Sequence, residues 1–143
     1  MAEAPFFAHT IPYLGASPDG IYAIYEGDKI KEQGVIEVKC PAKQRRPYTK
    51  FKHYYVAQTY AEMACSGLRS TIAISWGPRN MRVWRWHWDE NVWNVVSNII
   101  EGFRTHVSYE EFRELQNELE VVSHKVSKGA ECLHMGKGFP ISM

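Results

Sequence analysis

Asp19, Glu37 and Lys39 have the residue types and the spacing that chemistry at a metal ion requires. Glu37 and Lys39 are two residues apart in a segment rich in β-branched residues, so both side chains project from the same face of a strand. With Asp19 beside that strand, the two carboxylates form a set of hard oxygen ligands suited to Mg²⁺ or Mn²⁺. The carbonyl of Val38 could add another ligand to the same ion.

A divalent ion at this position would supply the chemistry of phosphodiester hydrolysis, which needs an activated water and stabilised charge on the phosphorus oxygens. Lys39 would lie next to that water, position it and counter the developing negative charge. The competing interpretation is a surface aspartate in a turn and a Glu–Lys pair on a solvent face. A short D…ExK pattern alone favours that interpretation, so the surrounding sequence has to decide.

Two strands are predicted to hold these residues. Residues 21–25 and 34–39 are rich in β-branched and aromatic side chains, and residues 26–28 between them predict a hairpin turn. In the second strand Val35, Glu37 and Lys39 face one side of the sheet, and Pro41 ends the strand because proline cannot donate to the ladder.

A helix is predicted from Pro47 to about Ser66, with Pro47 in its first turn and Gly67 as its C-terminal cap. Helical periodicity aligns one stripe of side chains on it: Phe51, Tyr55, Gln58 and Glu62. The position of Gln58 beside two aromatic residues predicts an amide that faces inward and needs hydrogen-bond partners there.

The rest of the chain predicts two further strands and two further helices. The strands are residues 71–76 and 81–88, and tryptophans at alternate positions of the second one predict a core face. Asp89 and Ser108 are predicted N-terminal caps of the helices that follow. This order of elements predicts an α/β fold, with a mixed central sheet flanked by helices.

Composition narrows the class of protein. Hydrophobic residues make up 45% of the 143 residues, which is enough for one domain with a core, and no apolar segment approaches the length of a membrane span. The N-terminal residues lack the basic and apolar regions of a signal peptide. The three cysteines are irregularly spaced and predict no disulfide framework, so we expect an intracellular, reducing compartment and no membrane partner.

Charge is unevenly distributed although the net charge is only +1. Residues 38–61 contain no acidic side chain, and we expect the basic residues after the strand with Glu37 and Lys39 to contact the phosphates of a polyanionic substrate. These residues are Lys43, Arg45, Arg46, Lys50 and Lys52. The alternative is a solvated loop and helix face. Ser17 could likewise bind a phosphate or only brace its turn.

Three ordered segments resemble the lambda-exonuclease, or YqaJ-like viral recombinase, family of the PD-(D/E)xK nucleases. They are GASPDG at 15–20, IEVKCP at 36–41 and YYVAQ at 54–58, and the resemblance extends over residues 13–104. It implies a restriction-endonuclease-like core within one nuclease domain, residues 1–143. We expect the catalytic core at 13–104, a helix at 108–122 and a loose tail at 123–143.

The resemblance also implies a function and the residues that perform it. Asp19 and Glu37 match the family's metal ligands, Lys39 matches its catalytic lysine, and Gln58 matches a glutamine that faces the active site. These matches imply an Mg²⁺-dependent deoxyribonuclease, an exonuclease that digests duplex DNA from the 5′ end for recombination or viral DNA processing. A single-strand annealing protein as partner, a homo-oligomer, and a phage or viral protein acting in its host cell are further expectations.

The sequence departs from the family pattern at two places. Tyr60 stands where members usually carry a second glutamine, and only fourteen residues precede Gly15, where members usually have one or more helices. A fragment, a minimal member and a chain that relies on other residues are all compatible with this. Two other functions stay open: a structure-specific or nicking endonuclease, and a nucleic-acid-binding module without turnover. An interaction domain that binds no nucleic acid is a third, against which the basic segment argues only weakly.

Overall fold

A computed structural model describes residues 6–9, 14–41, 43–44 and 46–137. These residues form, in chain order, β1 (Phe7–Ala8), β2 (Gly15–Ala16), β3 (Gly20–Glu26), β4 (Lys29–Lys39), α1 (His53–Ser66), β5 (Ser70–Trp76), β6 (Met81–His87), α2 (Glu90–Thr105), α3 (Tyr109–Gly129) and β7 (Glu131–Gly136). No helix of this part of the chain is long and apolar enough to cross a membrane.

The five longer strands form one mixed sheet in the order β3-β4-β5-β6-β7. Strands β4 and β5 are parallel and the other neighbouring pairs are antiparallel. Parallel neighbours need a crossover connection, which α1 supplies here. Strands β1 and β2 form a separate small ladder that contacts α1. The predicted fold class, a mixed sheet flanked by helices, is confirmed.

The core lies between the helices and one face of the sheet. Val35 of β4, Ala73 of β5 and the Trp84 and Trp86 side chains of β6 are buried there, together with apolar side chains from all three helices. Val35 shares its strand face with Glu37 and Lys39, so the same alternation that buries Val35 directs both charged side chains toward the helix layer.

Local sequence signals fix several element ends as predicted. The turn after β3 contains Gly27 at a φ of 63°, a left-handed conformation that glycine adopts without steric cost. Asp89 caps α2 by accepting a hydrogen bond from the Asn91 amide at 2.9 Å. Ser108 caps α3 by accepting one from the Glu111 amide at 3.2 Å. Each cap satisfies an amide that the first helical turn leaves without a partner.

The predicted start of α1 at Pro47 is wrong, because the helix begins at His53. Its N-cap, Lys52, makes no capping hydrogen bond with its side chain. The preceding segment instead attaches to the sheet: the Tyr48 amide donates to the Ser75 hydroxyl at 2.8 Å, and the Phe51 ring packs edge-on against Trp84 at 5.2 Å. These tertiary contacts hold the segment in a non-helical path that its own sequence does not reveal.

The predicted loose tail at 123–143 is also wrong as far as residue 137, and residues 138–143 lie outside the described residues. Helix α3 continues to Gly129, and β7 pairs with β6 at the edge of the sheet. An ion pair from Arg85 to Glu131 at 2.6 Å helps hold β7 in place. The pairing is irregular between Val83 and Trp84, so the alternation that normally identifies a strand is broken.

Gly34 provides a test of this packing. Tyr22 lies across Gly34 and its hydroxyl contacts Ser70 at 2.5 Å, and a Cβ at position 34 would come within 2.5 Å of the Ser70 carbonyl oxygen. Gly34→Ala should therefore lower the free energy of unfolding by about 1–3 kcal/mol, the usual range for overpacking. Urea unfolding monitored by circular dichroism measures the change.

Gly129→Ala is the matched control, because a Cβ added at that position meets no heavy atom of the described residues within 4 Å. Alanine in the last turn of a helix should leave stability unchanged or raise it slightly. Equal unfolding free energies for the two variants would contradict the assigned contact between Tyr22 and the β4 backbone.

Candidate active site

Asp19 is positioned by the backbone of β4. Its amide donates to the Ile36 carbonyl at 3.1 Å, and its side chain accepts a hydrogen bond from the Val38 amide at 2.8 Å. The β3–β4 pairing thus extends one position beyond Gly20, to Asp19, which follows the buried Pro18. The predicted placement of Asp19 beside the ExK strand agrees with this geometry.

Glu37 and Lys39 form an ion pair beneath α1. Lys39 Nζ lies 2.9 Å from Glu37 Oε2, and the Glu37 side chain is only 2% exposed. Gln58 of α1 joins both residues: its Oε1 accepts from Lys39 Nζ at 3.0 Å and its Nε2 donates to Glu37 Oε2 at 3.1 Å. The lysine ammonium also lies 4.4 Å above the Tyr55 ring, a cation–π distance.

Glu62 is the functional candidate that sequence reasoning placed on the α1 stripe without assigning it a role. It lies one helical turn after Gln58, whose Nε2 donates to Glu62 Oε1 at 3.2 Å. The Glu62 side chain is buried, and its pKa is raised to about 9, first by desolvation and then by the neighbouring Glu37 and Asp19 carboxylates. Its spacing of four residues from Gln58 was the signal that could have identified it.

Two carboxylate oxygens in this cluster are buried without a partner. Glu37 Oε1 and Glu62 Oε2 meet no N–H or hydroxyl donor of the described residues, and the two carboxyl groups are close enough to share the Glu62 proton. A buried acceptor without a donor is unfavourable, and a cation or a proton would satisfy it. The donor set consists of oxygens only, which fits a hard divalent ion. No group of three or more His, Cys, Asp or Glu side chains in this part of the chain is close enough to hold an ion, so the protein donors would be few.

The structure places Ser17 before β3 and the described basic residues among the predicted DNA contacts in the segment between β4 and α1. Ser17, between β2 and Asp19, and Lys43, in the turn after β4, are both exposed. Arg46, Lys50 and Lys52 line an open groove at the C-terminal end of β4 and β5, and Arg45 lies outside the described residues. Arg82 of β6 lines the same groove and was not predicted, because no pattern in its own strand distinguishes it.

Comparisons with known proteins find a sequence family and solved structures that are similar to this chain. Residues 2–69 match the family described as the YqaJ-like viral recombinase domain. Among solved structures, an alkaline exonuclease of Laribacter hongkongensis, LHK-Exo, is similar with a TM-score of 0.51 and 24% identity, and LHK-Exo in complex with dAMP is similar with a TM-score of 0.53 and 25% identity. Each similarity covers 89% of this chain. No curated protein sequence matches closely enough to show a relationship.

The chain spans 62% of the length of the LHK-Exo chains. The family match contains Asp19, Glu37, Lys39 and Gln58, and the structural likeness extends the agreement to the five-stranded sheet and its helices. The predicted resemblance is therefore confirmed: residues 2–69 of this chain match the YqaJ-like viral recombinase domain, and the fold is similar to that of the alkaline exonuclease LHK-Exo.

Proposed function

We propose that this chain is a metal-dependent DNA exonuclease that digests one strand of duplex DNA from its 5′ end. The single observation that supports this most strongly is the lysine ammonium held between Glu37 and Gln58, next to a buried carboxylate oxygen without a partner. A structural ion pair on a solvent face would leave neither a buried Glu37 nor an unsatisfied oxygen. The family match and the alkaline exonuclease fold support the substrate class.

Asp19 and Glu37, with the carbonyl of Val38, are the proposed ligands of Mg²⁺ or Mn²⁺. The N–H and C=O of one strand residue project to the same side, so the carbonyl of Val38 points toward Asp19, as its amide does. Mg²⁺ usually keeps several waters and takes one or two carboxylates, which agrees with this small set. A bound ion would supply an activated water and stabilisation of charge on phosphorus.

The remaining chemistry falls to residues of this chain. Lys39 presents a cation whose position is fixed on three sides, by Glu37, by Gln58 and by the Tyr55 ring. An ammonium fixed in this way before the substrate arrives can orient the attacking water and counter the charge of the transition state without reorganisation. Gln58 acts as a positioning residue, because its amide holds Lys39 and Glu37 together.

Substitution of the proposed catalytic residues tests the assignment. Asp19→Ala, Glu37→Gln and Lys39→Ala should each reduce digestion of linear duplex DNA by about 100-fold or more, because each removes a separate part of one assembly. The measurement is release of acid-soluble nucleotides in Mg²⁺. Lys31→Ala is the control: Lys31 lies on the same strand, is exposed and should be dispensable.

Circular dichroism should show folded protein for all four variants. Near-wild-type turnover by any of the first three would remove that residue from the proposed site. Rapid cleavage of covalently closed circular DNA would replace the exonuclease by an endonuclease on the same fold, and release of label from the 3′ end first would reverse the proposed polarity.

The choice of divalent ion is a second test. Ca²⁺ should support DNA binding but not digestion, because it prefers oxygen ligands as Mg²⁺ does but is larger and looser in geometry. Binding measured by fluorescence anisotropy and digestion measured in parallel separate the two effects. Digestion that continues in EDTA, or that proceeds equally fast in Ca²⁺ alone, would rule out the proposed two-carboxylate site.

The raised pKa of Glu62 predicts a pH dependence of stability in the metal-free protein. In the folded state the carboxyl keeps its proton up to a pKa of about 9, whereas the ordinary pKa of a glutamate, which applies to the unfolded chain, is 4.5. Between these values the folded state binds more protons, so this contribution is present at low pH and is lost as pH rises through 9. The decrease can reach about 1.4 kcal/mol per pH unit for one proton.

Urea unfolding in EDTA at pH 6, 7.5 and 9 measures this dependence. The wild type should lose stability over this range, and Glu62→Gln, which cannot ionise, should lose distinctly less. Parallel curves for the two proteins would mean that Glu62 is ionised in the folded state, and the assigned proton would then have to be dropped.

A further inference from the structure

A basic groove lies next to the candidate active site and is built from two distant parts of the chain. Its cations are Arg46, Lys50 and Lys52 from the segment before α1, and Arg82 from β6 on the other side. The groove is open, has a volume of about 520 Å³, and contains no acidic side chain among its described lining residues. We call it the β6–β7 groove, since the far wall is completed by the start of β6 and the end of β7.

The groove is continuous with the ExK strand. The Tyr48 amide donates to the Ser75 hydroxyl at 2.8 Å, and Ser75 is the register partner of Lys39 across β4 and β5. The Tyr48 ring centroid lies 6.0 Å from the Tyr55 ring, over which Lys39 Nζ lies at 4.4 Å. The Tyr55 side chain therefore separates the groove from the Lys39 ammonium, so a DNA strand bound at Lys39 can continue directly into the groove.

Apolar and aromatic groups alternate with the cations inside the groove. Tyr48 is half-buried in the wall, and Lys52 Nζ lies 5.7 Å from its ring centroid. Met135 of β7 lines the opposite side and is 65% exposed. An aromatic face next to cations suits single-stranded nucleic acid, because an unpaired base can stack on it while the phosphates follow the charge. In a duplex the base faces are already stacked on each other and could not use these side chains.

We propose that the β6–β7 groove binds single-stranded DNA, with phosphates on Arg82 and Lys50 and a base against Tyr48. The inference rests on the proposed function in taking DNA as the substrate, and it goes beyond it by assigning a single-strand path at one side of the metal site. It also assigns DNA contact to Arg82 and to the end of β7, which lie outside the basic segment before α1.

Equilibrium binding in EDTA tests the proposal without any turnover. The probes are fluorescein-labelled oligothymidylate of twelve nucleotides and a blunt hairpin duplex, titrated at several salt concentrations. The double variant Lys50→Gln with Arg82→Gln should bind the single strand at least about tenfold more weakly. Its log–log salt slope should fall by about 1.4, since each phosphate contact to a single strand contributes about 0.7.

The matched control is Lys31→Gln with Arg113→Gln, which removes the same charges from exposed positions on β4 and α3 that do not line this groove. We expect it to leave single-strand affinity within twofold of wild type. Tyr48→Leu should weaken single-strand binding about fivefold or more, whereas Tyr48→Phe, which keeps the ring, should not. If Tyr48→Leu does not fold, the charge variants and Tyr48→Phe still decide.

Equal losses for the single strand and the hairpin, or a slope no different from the control's, would overturn the proposal. Its failure can be told apart from failure of the proposed function. If the groove variants digest duplex DNA normally and bind single strands as the wild type does, the groove proposal fails and the proposed nuclease function stands. If the wild type does not digest DNA but the groove variants lose single-strand affinity as expected, the proposed nuclease function fails and the groove proposal stands.

Discussion

Burial of Glu37 is the constraint on which the rest of the site depends. A carboxylate that is 2% exposed would be strongly destabilising if it had no partner, because desolvation of a lone charge costs several kcal/mol. The Lys39 ammonium, two residues further along the same strand, and the Gln58 amide offset that cost, and Gln58 reaches Glu37 only because α1 packs over the end of β4. Folding of the crossover and assembly of the candidate site are therefore one event rather than two.

The parallel pairing of β4 and β5 fixes the positions of Glu37 and Lys39 along the sheet. It places Glu37 beside Ala73 and Lys39 beside Ser75, so a small residue stands next to the buried acid and a hydroxyl next to the lysine. The Ser75 hydroxyl then anchors the segment that leads into α1. A slip of one residue in this register would turn both charged side chains to the opposite face of the sheet. The core side chain Val35 follows the same alternation, so hydrophobic burial and site geometry enforce one register.

The site contains two of the buried polar atoms that meet no hydrogen-bond partner among the described residues, and both are carboxylate oxygens. Glu37 and Glu62 each keep one buried oxygen without a donor from the described residues, and the pKa of Glu62 is raised to about 9. Buried polar groups are normally paired, so exceptions mark places where something other than stability has shaped the sequence. Lys39 therefore lies between the buried carboxyl groups of Glu37 and Glu62 and a groove whose described lining residues are free of acidic side chains. The carboxyl groups suit a bound cation, and the basic groove suits the phosphates of a nucleic acid.

The sequence by itself determined the features that depend on short-range periodicity. Glu37 and Lys39 share a strand face because they are two residues apart, Gln58 and Glu62 share a helix face because they are four apart, and Asp89 and Ser108 cap the helices that follow them. The motif order also predicted the resemblance to the YqaJ-like viral recombinase domain. Only the tertiary structure decided which faces meet, because contact between β4 and α1 depends on a crossover and its packing. The start of α1 at His53 was also decided by tertiary structure, because the segment before it is attached to Ser75. So was β7, an irregular edge strand that depends on pairing with β6. Such long-range pairing leaves no periodic trace in the residues that make it.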